Sequence, residues 1–408
     1  MSATTMTGAL VETLPRLAWR EPKAAYDVVI VGGGGHGLAT AYYLATRHGI
    51  TNVAVLEADY VASGNTGRNT TIIRANYGIP EAIRFYQHSL ELYRGLEAET
   101  GAAILHQTRG ILWLAHTEMA LRAERARCLM NAAVGARTVM VTPAEIKQLV
   151  PQVDLTGGAR YPILGASHHL DAATARHDRV AWAYAAGGQA RGVDIVQHTP
   201  VTGLVRDGDR VVGVETPGGR IAAGQVLSAV GGRVTSLAAM ARVRLPVRTH
   251  PLHAFVTNNY AQGFGPILAS TELMCYVSQT ERGQMLIGAE FDTQPSYSRQ
   301  SSFAALRSYA YKVTRLLPFL RDMRILRTWA GSCDISADFS PIMGETGVPG
   351  FLVTTGWGTW GFKAIPAGGK AMAELIATGR TPALIAPFGL DRFARDHVMA
   401  DQGSAGTR

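Results

Sequence analysis

The sequence predicts a mixed α/β fold: a βαβ unit near the start of the chain opens one domain, and a β-rich second domain is inserted into it. Three observations carry this reading. Residues 26–37 read YDVVIVGGGGHG and run into LATAYYLA, which is an apolar strand, a glycine turn and a helix in succession. Residues 193–232 alternate short valine-rich runs with DGD and PGG turns, the pattern of a meander. Residues 351–362, FLVTTGWGTWGF, repeat the passage from buried strand into glycine loop, so the chain returns to its first domain at the C-terminal end.

Each element follows in order. Residues 1–25 read as an arm without strong periodicity. In the unit that follows, Gly32, Gly34 and Gly37 fit G-x-G-x-x-G. Gly32 permits the turn, Gly34 lets a pyrophosphate approach the backbone, and Gly37 lets helix and strand pack closely. The helix N-terminus at Gly35 and His36 offers free N–H groups and a positive dipole end. A strand at 52–56 ends in Glu57, placed to accept hydrogen bonds from an adenosine ribose. The unit therefore reads as a Rossmann-like dinucleotide site. Residues 63–77 begin as a polar loop suited to phosphate contacts, with Asn65, Arg68, Asn69, Thr70 and Thr71, and turn apolar before Arg74.

Helical spacing recurs at 80–100, 117–132 and 172–190, with a strand at 110–115 and a capping box from Thr142 to Glu145. The meander at 193–232 is typical of FAD domains rather than simple NAD domains. Residues 245–295 read as long strands, 303–320 as a helix, and 364–376 as a helix after the second glycine loop. The first domain is expected over 26–79, 160–241 and 327–408, and the second over 80–159 and 242–326.

Composition narrows the function classes. The chain has 408 residues, 47% hydrophobic and 17% charged, an ordinary soluble balance, and no targeting or membrane segment is read in it. Its net charge of +8 is scattered among acids, which disfavours nucleic acid as a partner. Cys128, Cys275 and Cys333 have no metal-type spacing and an odd count, so reduced thiols in the cytoplasm are expected.

Beyond the glycine loops, five segments together carry a resemblance: residues 26–44, RNTTIIR at 68–74, ARHD at 175–178 with VAWA at 180–183, RTW at 327–329, and GWGTWGFK at 356–363. Over nearly its whole length the chain resembles the β subunits of heterotetrameric sarcosine oxidases, within the D-amino-acid-oxidase-like flavoprotein superfamily. The resemblance implies a Rossmann-like FAD-binding domain with a β-rich substrate domain. It implies non-covalent FAD and a covalent FMN tethered through His177. As a residue alone, His177 reads only as a surface or capping histidine on a helix. It further implies that Arg74 and Lys363 clamp the carboxylate of an N-methyl amino acid. Cofactor contacts are expected from Gly32, Gly34, Gly35, His36, Gly37, Glu57, Asn65, Arg68, Asn69, Thr70, Thr71, Val201, Gly358, Thr359, Gly361 and Lys363.

The activity so implied is oxidative demethylation of sarcosine to glycine and formaldehyde or methylenetetrahydrofolate. Hydride passes to FAD, electrons to FMN, and then to O2 to give H2O2. Other subunits of α, γ and δ type are the implied partners, with no membrane. Two departures stand out: Trp360 occupies a position where the family loop carries glycine, and Cys333 has the wrong spacing for a covalent flavin and reads as a plain buried thiol. Alternatives are an enzyme acting on N-methylglutamate, proline or an opine, and a non-catalytic flavin-bearing subunit. A third, an NAD-dependent dehydrogenase, is disfavoured by the second glycine loop.

Overall fold

The computed structural model describes residues 16–399, so most of the expected N-terminal arm lies outside the described residues. Its final part is anchored: Arg20 and Lys23 pair with Asp194 at 2.8 and 3.3 Å.

The first sheet has eight strands and is built on the βαβ unit. Strands Ala25–Val31 and Val53–Leu56 pair in parallel, Val28 opposite Val53, with helix Gly35–His48 between them in sequence. Residues 28–31 are apolar without alternation because both faces of this sheet are covered. Val28 and Ile30 enter a core shared with helices Gly35–His48, His177–Gln189 and Gly361–Thr378, while Val29 and Val31 enter the core on the opposite face. Strand Gly219–Ser228 flanks Ala25–Val31 and leads out into the meander strands Arg210–Thr216 and Gly203–Asp207. The returning strand Phe351–Thr355 pairs with it in parallel, Val226 opposite Phe351.

The second sheet also has eight strands, in the order Ile325–Ser336, Val247–Asn259, Gln284–Phe291, Cys275–Gln279, Ile267–Ser270, Ile111–Ala115, Gly165–His169 and Thr138–Val141. Leu112 and Leu114 point into a core closed by helix Phe303–Leu316. Ile111 and Trp113 point to the other face, which lines a cavity. That helix stops short of the expected 320 because Leu317, preceding Pro318, is driven to an extended φ of −131°.

Sheet membership departs from the expected boundaries at three places. Strands Gly165–His169 and Ile325–Ser336 belong to the second sheet, although 160–241 and 327–408 read in sequence as parts of the first domain. Helix Pro80–Thr100 packs its Ala82, Ile83, Phe85 and Tyr86 into the first domain's core. Apolar periodicity identifies an element's buried face but not which sheet supplies its partner. The packing partner of this helix is Gly361–Thr378, which contains Pro366. Pro366 leaves the Phe362 carbonyl without its helical N–H donor, and the Tyr93 hydroxyl donates there at 2.6 Å. Ser89 donates to the Lys363 carbonyl at 2.6 Å one residue on.

Candidate active site

A cavity of about 510 Å³ lies between the two sheets, lined by both glycine loops, the 63–74 segment and the inward face of the second sheet. At one end Gly32 has φ +112°, and a Cβ there would sit 2.5 Å from the Ala229 carbonyl oxygen. Gly37 does not line the cavity: a Cβ would come 2.2 Å from the Gly32 carbonyl oxygen, so its role is helix–strand packing. At Gly34 a Cβ would meet only Thr66 Oγ1, at 3.3 Å, which leaves backbone open to a ligand. The Gly35 N–H donates to that same hydroxyl at 2.9 Å. Glu57 accepts from the Gly33 and Asp59 N–H groups at 2.7 and 3.0 Å and from the Ser63 hydroxyl at 3.2 Å, and it lines the cavity, as does Val201. An open glycine cradle at a helix N-terminus with an acid beside it fits the pyrophosphate and ribose of FAD.

Asn65, Arg68, Asn69, Thr70 and Thr71 all line the cavity, but much of their hydrogen bonding shapes the loop itself. Asn69 accepts from the Thr71 N–H at 2.6 Å and donates to the Thr66 carbonyl. Thr71 holds a left-handed φ of 66°. Arg68 donates to the Gly64 carbonyl at 3.1 Å. Burial, with Arg299 and Arg327 adding like charge, pulls the Arg68 guanidinium pKa down. Thr70 donates to the Tyr276 hydroxyl at 2.7 Å.

The second glycine loop is built around Asp334, which sequence reasoning passed over. Its carboxylate accepts from Thr355 Oγ1 at 2.9 Å, from the Gly356 N–H at 2.7 Å and from the Trp357 N–H at 3.3 Å. Gly356 and Gly358 take left-handed φ values of 69° and 46°. The sequence signal for Asp334 is slight: an acid between Cys333 and Ile335 in strand Ile325–Ser336. His36 ties this loop to the first: its Nε2–H donates to the Gly361 carbonyl at 2.9 Å, and its ring stacks on Trp357 at 4.1 Å. Burial lowers its pKa to about 3, so the imidazole is neutral and structural.

Gly358, Thr359, Gly361 and Lys363 line the cavity from this side. Lys363 is buried in the first turn of its helix and donates to the Thr359 carbonyl at 2.8 Å. Burial first, and then the charge of Arg74, push its pKa well below the ordinary lysine value. Arg74 is itself buried and donates to both the backbone and side-chain oxygens of Asn76 at 3.1 Å. Its guanidinium lies 4.3 Å from the Tyr77 ring centroid and 4.9 Å from that of Trp113. The cavity thus brings together two basic side chains that lie far apart in the sequence.

His177 stands apart from this cavity. It opens helix His177–Gln189 just after strand Ala173–Thr174, which pairs with Ile72–Ile73 directly before Arg74. Its Nδ1 is buried with no hydrogen-bond partner among the described residues. Trp360 is fully buried and packs on Tyr77 and Tyr86 at 4.5 and 5.7 Å, so it is not among the residues that line this cavity. Cys333 is a buried free thiol whose pKa burial raises, and it lines the cavity. Among the described residues there is no cluster fit for a metal and no helix long and apolar enough to cross a membrane.

The FAD dependent oxidoreductase family, DAO, matches residues 27–375. The chain belongs to this family of flavin-dependent oxidoreductases. Within it the chain stands with the sarcosine oxidase β subunits. It is 42% identical to sarcosine oxidase subunit beta of Arthrobacter sp, covering 96% of this chain and 97% of that one. It is 41% identical to that of Rhodobacter capsulatus, covering 95% and 94%. Among solved structures, L-proline dehydrogenase from P. horikoshii superposes with TM-score 0.86 at 27% identity, covering 91% of this chain and 98% of that one. Glycine oxidase from Geobacillus kaustophilus shares the fold with TM-score 0.81 at 22% identity, covering 91% and 99%.

Proposed function

We propose that this chain oxidises a secondary amino acid of the N-methyl type, sarcosine first, to glycine and formaldehyde or methylenetetrahydrofolate. The observation that carries the reading is the pair Arg74 and Lys363, two buried basic side chains at the cavity onto which the glycine loops open. A buried carboxylate requires charged partners, and a guanidinium fork with an ammonium supplies them. When bound, FAD supplies the hydride acceptor. The chain's residues supply the rest. Arg74 and Lys363 fix the substrate carboxylate, and this orients the N-methyl carbon, an effect worth several kcal/mol. Burial excludes water from the clamp and strengthens each contact. Gly32, Gly34, Gly35, His36 and Glu57 hold the ADP part, and the loop anchored by Asp334 presents Thr359 and Lys363.

The finer part of the proposal concerns a second flavin. His177 would tether a covalent FMN, and its unpartnered buried Nδ1 is a nitrogen fit for that bond. O2 would be the terminal acceptor, giving H2O2, and subunits of α, γ and δ type would complete the enzyme. A second reading is supported by the likeness to L-proline dehydrogenase: a cyclic secondary amine held by the same clamp. One experiment decides among these. The FAD-loaded protein is titrated anaerobically with sarcosine, proline and N-methylglutamate while flavin absorbance is followed. Bleaching by sarcosine supports the first reading and bleaching by proline alone the second. No bleaching by any amine overturns both and leaves a flavin-bearing subunit without its own catalysis.

A further inference from the structure

A buried charge network lies behind Arg74 and takes no direct part in the mechanism above. Trp113 sits on strand Ile111–Ala115, on the face that lines the cavity. Its ring is approached by two guanidiniums: Arg74 Cζ lies 4.9 Å from the centroid and Arg127 Cζ 5.3 Å. Arg127 belongs to helix Glu118–Ala133 and pairs with Glu124 at 3.1 Å, one turn earlier on the same helix. Glu124 accepts from Ser167 Oγ at 2.5 Å, and Ser167 lies directly across from Trp113 in the sheet. Glu124, Ser167 and Trp113 are all buried. Asn131, a further turn along the helix, donates to the Tyr77 carbonyl at 2.8 Å and so holds the other aromatic ring beneath Arg74.

Two cations on one indole repel each other unless a counter-charge is fixed nearby, and Glu124 is placed to provide it. The Glu124 pKa is raised, by burial first and by Glu272 more weakly, against the lowering pull of Arg127, Ser167 and Arg74, so the two arginines and the serine are what hold charge on it. The Asn76 oxygens hold one edge of the Arg74 guanidinium, and the ring faces of Tyr77 and Trp113 restrict its plane. Keeping a charged pair in the core with no ligand to bind is poor use of stability, since apolar replacements are often as stable. A role in holding a neighbouring group accounts for its presence.

We propose that Trp113, Arg127 and Glu124 are positioning residues that hold Arg74 in the orientation in which it receives the substrate carboxylate. The inference rests on Arg74 being part of the clamp. The effect acts through Arg74, so it should appear in carboxylate affinity and be lost when Arg74 is already impaired.

The test uses the FAD-loaded protein and acetate as the carboxylate probe, with dissociation constants read from the flavin spectral change. Trp113→Leu should weaken acetate about 3- to 30-fold, the span of a desolvated cation–π contact, and Arg127→Met should weaken it too, because Glu124 without its partner competes with acetate for Arg74. Trp113→Phe, which keeps a ring face, should recover most of the loss. With substrate, KM should rise more than kcat falls. In the Arg74→Lys background Trp113→Leu should add little, because interacting residues are not additive. Unchanged acetate affinity in Trp113→Leu, alongside weakened affinity in Arg74→Lys, overturns the proposal and leaves the clamp intact. Unchanged affinity in Arg74→Lys overturns the clamp itself. Equal losses for Trp113→Phe and Trp113→Leu would also overturn the proposal, since bulk rather than the ring face would then be what matters.

Discussion

Replacing Lys363 by Met separates binding from folding. The ammonium is buried and has a single hydrogen bond, to the Thr359 carbonyl at 2.8 Å, among the described residues. Its pKa is pushed well below the ordinary value, by burial and then by Arg74. The charged form is therefore disfavoured in the empty cavity, and a bound carboxylate would restore it. Truncating one partner of a buried charge pair costs about 2–5 kcal/mol. With Arg74 left in place as the proposed second partner, the lower half of that range applies, a loss of ~30- to ~300-fold in carboxylate affinity. Folding should respond the other way. The variant loses one hydrogen bond, worth about 1 kcal/mol, but no longer buries an amine that must give up its proton on folding, so thermal stability should hold or rise.

The pH dependence gives an independent sign. Between the depressed folded pKa and ~10.4 in the unfolded chain, the unfolded state binds the extra proton, so this group makes stability rise with pH. Lys363→Met should lack that part of the rise. The assays are acetate and sarcosine titrations, and urea midpoints across that pH window. An unchanged KM, or a drop in stability of the size of a core cavity, would refute the reasoning.

Gly34→Ala should leave the ligand-free fold intact, because its φ of −82° suits alanine and a Cβ meets only Thr66 Oγ1 at 3.3 Å. FAD should bind ~10- to ~150-fold more weakly, the equivalent of a charge-assisted hydrogen bond, by fluorescence titration; unimpaired binding would remove Gly34 from the phosphate cradle. His36→Phe keeps a ring for Trp357 but loses the bond to Gly361. In the native protein His36 titrates at about 3 when folded and ~6.5 when unfolded, so stability falls as pH drops through that interval. The variant should show a flatter acid limb in denaturation midpoints, and an unaltered limb would count against the neutral staple. His177→Ala should keep FAD but lose covalent flavin, and flavin fluorescence persisting on a denaturing gel would rule out the tether.

Much of the fold was legible because local signals agreed with tertiary demand. The βαβ unit, the capping box at Thr142 and the meander each follow from runs of a few residues. What was not legible depends on partners far away in the chain. Whether Gly165–His169 joins one sheet or the other is decided by hydrogen bonds to Ile111–Ala115 and Thr138–Val141. Nothing in the five residues themselves marks that choice.

The site divides in the same way. Its glycines and basic residues were readable as types at a spacing, but the groups that hold them were not. Asp334 shapes the second loop through residues 21 to 23 positions away, and His36 reaches Gly361 across 325 positions. Trp360 makes the point from the opposite side. It stands where the family loop carries glycine. The loop turns it away from the cavity onto Tyr77 and Tyr86, and Tyr77 in turn lies beneath Arg74. Its influence on the clamp therefore runs through an aromatic floor rather than through the cavity wall. A smaller residue at 360 should loosen Tyr77, and with it Arg74, before it enlarges the space available to substrate.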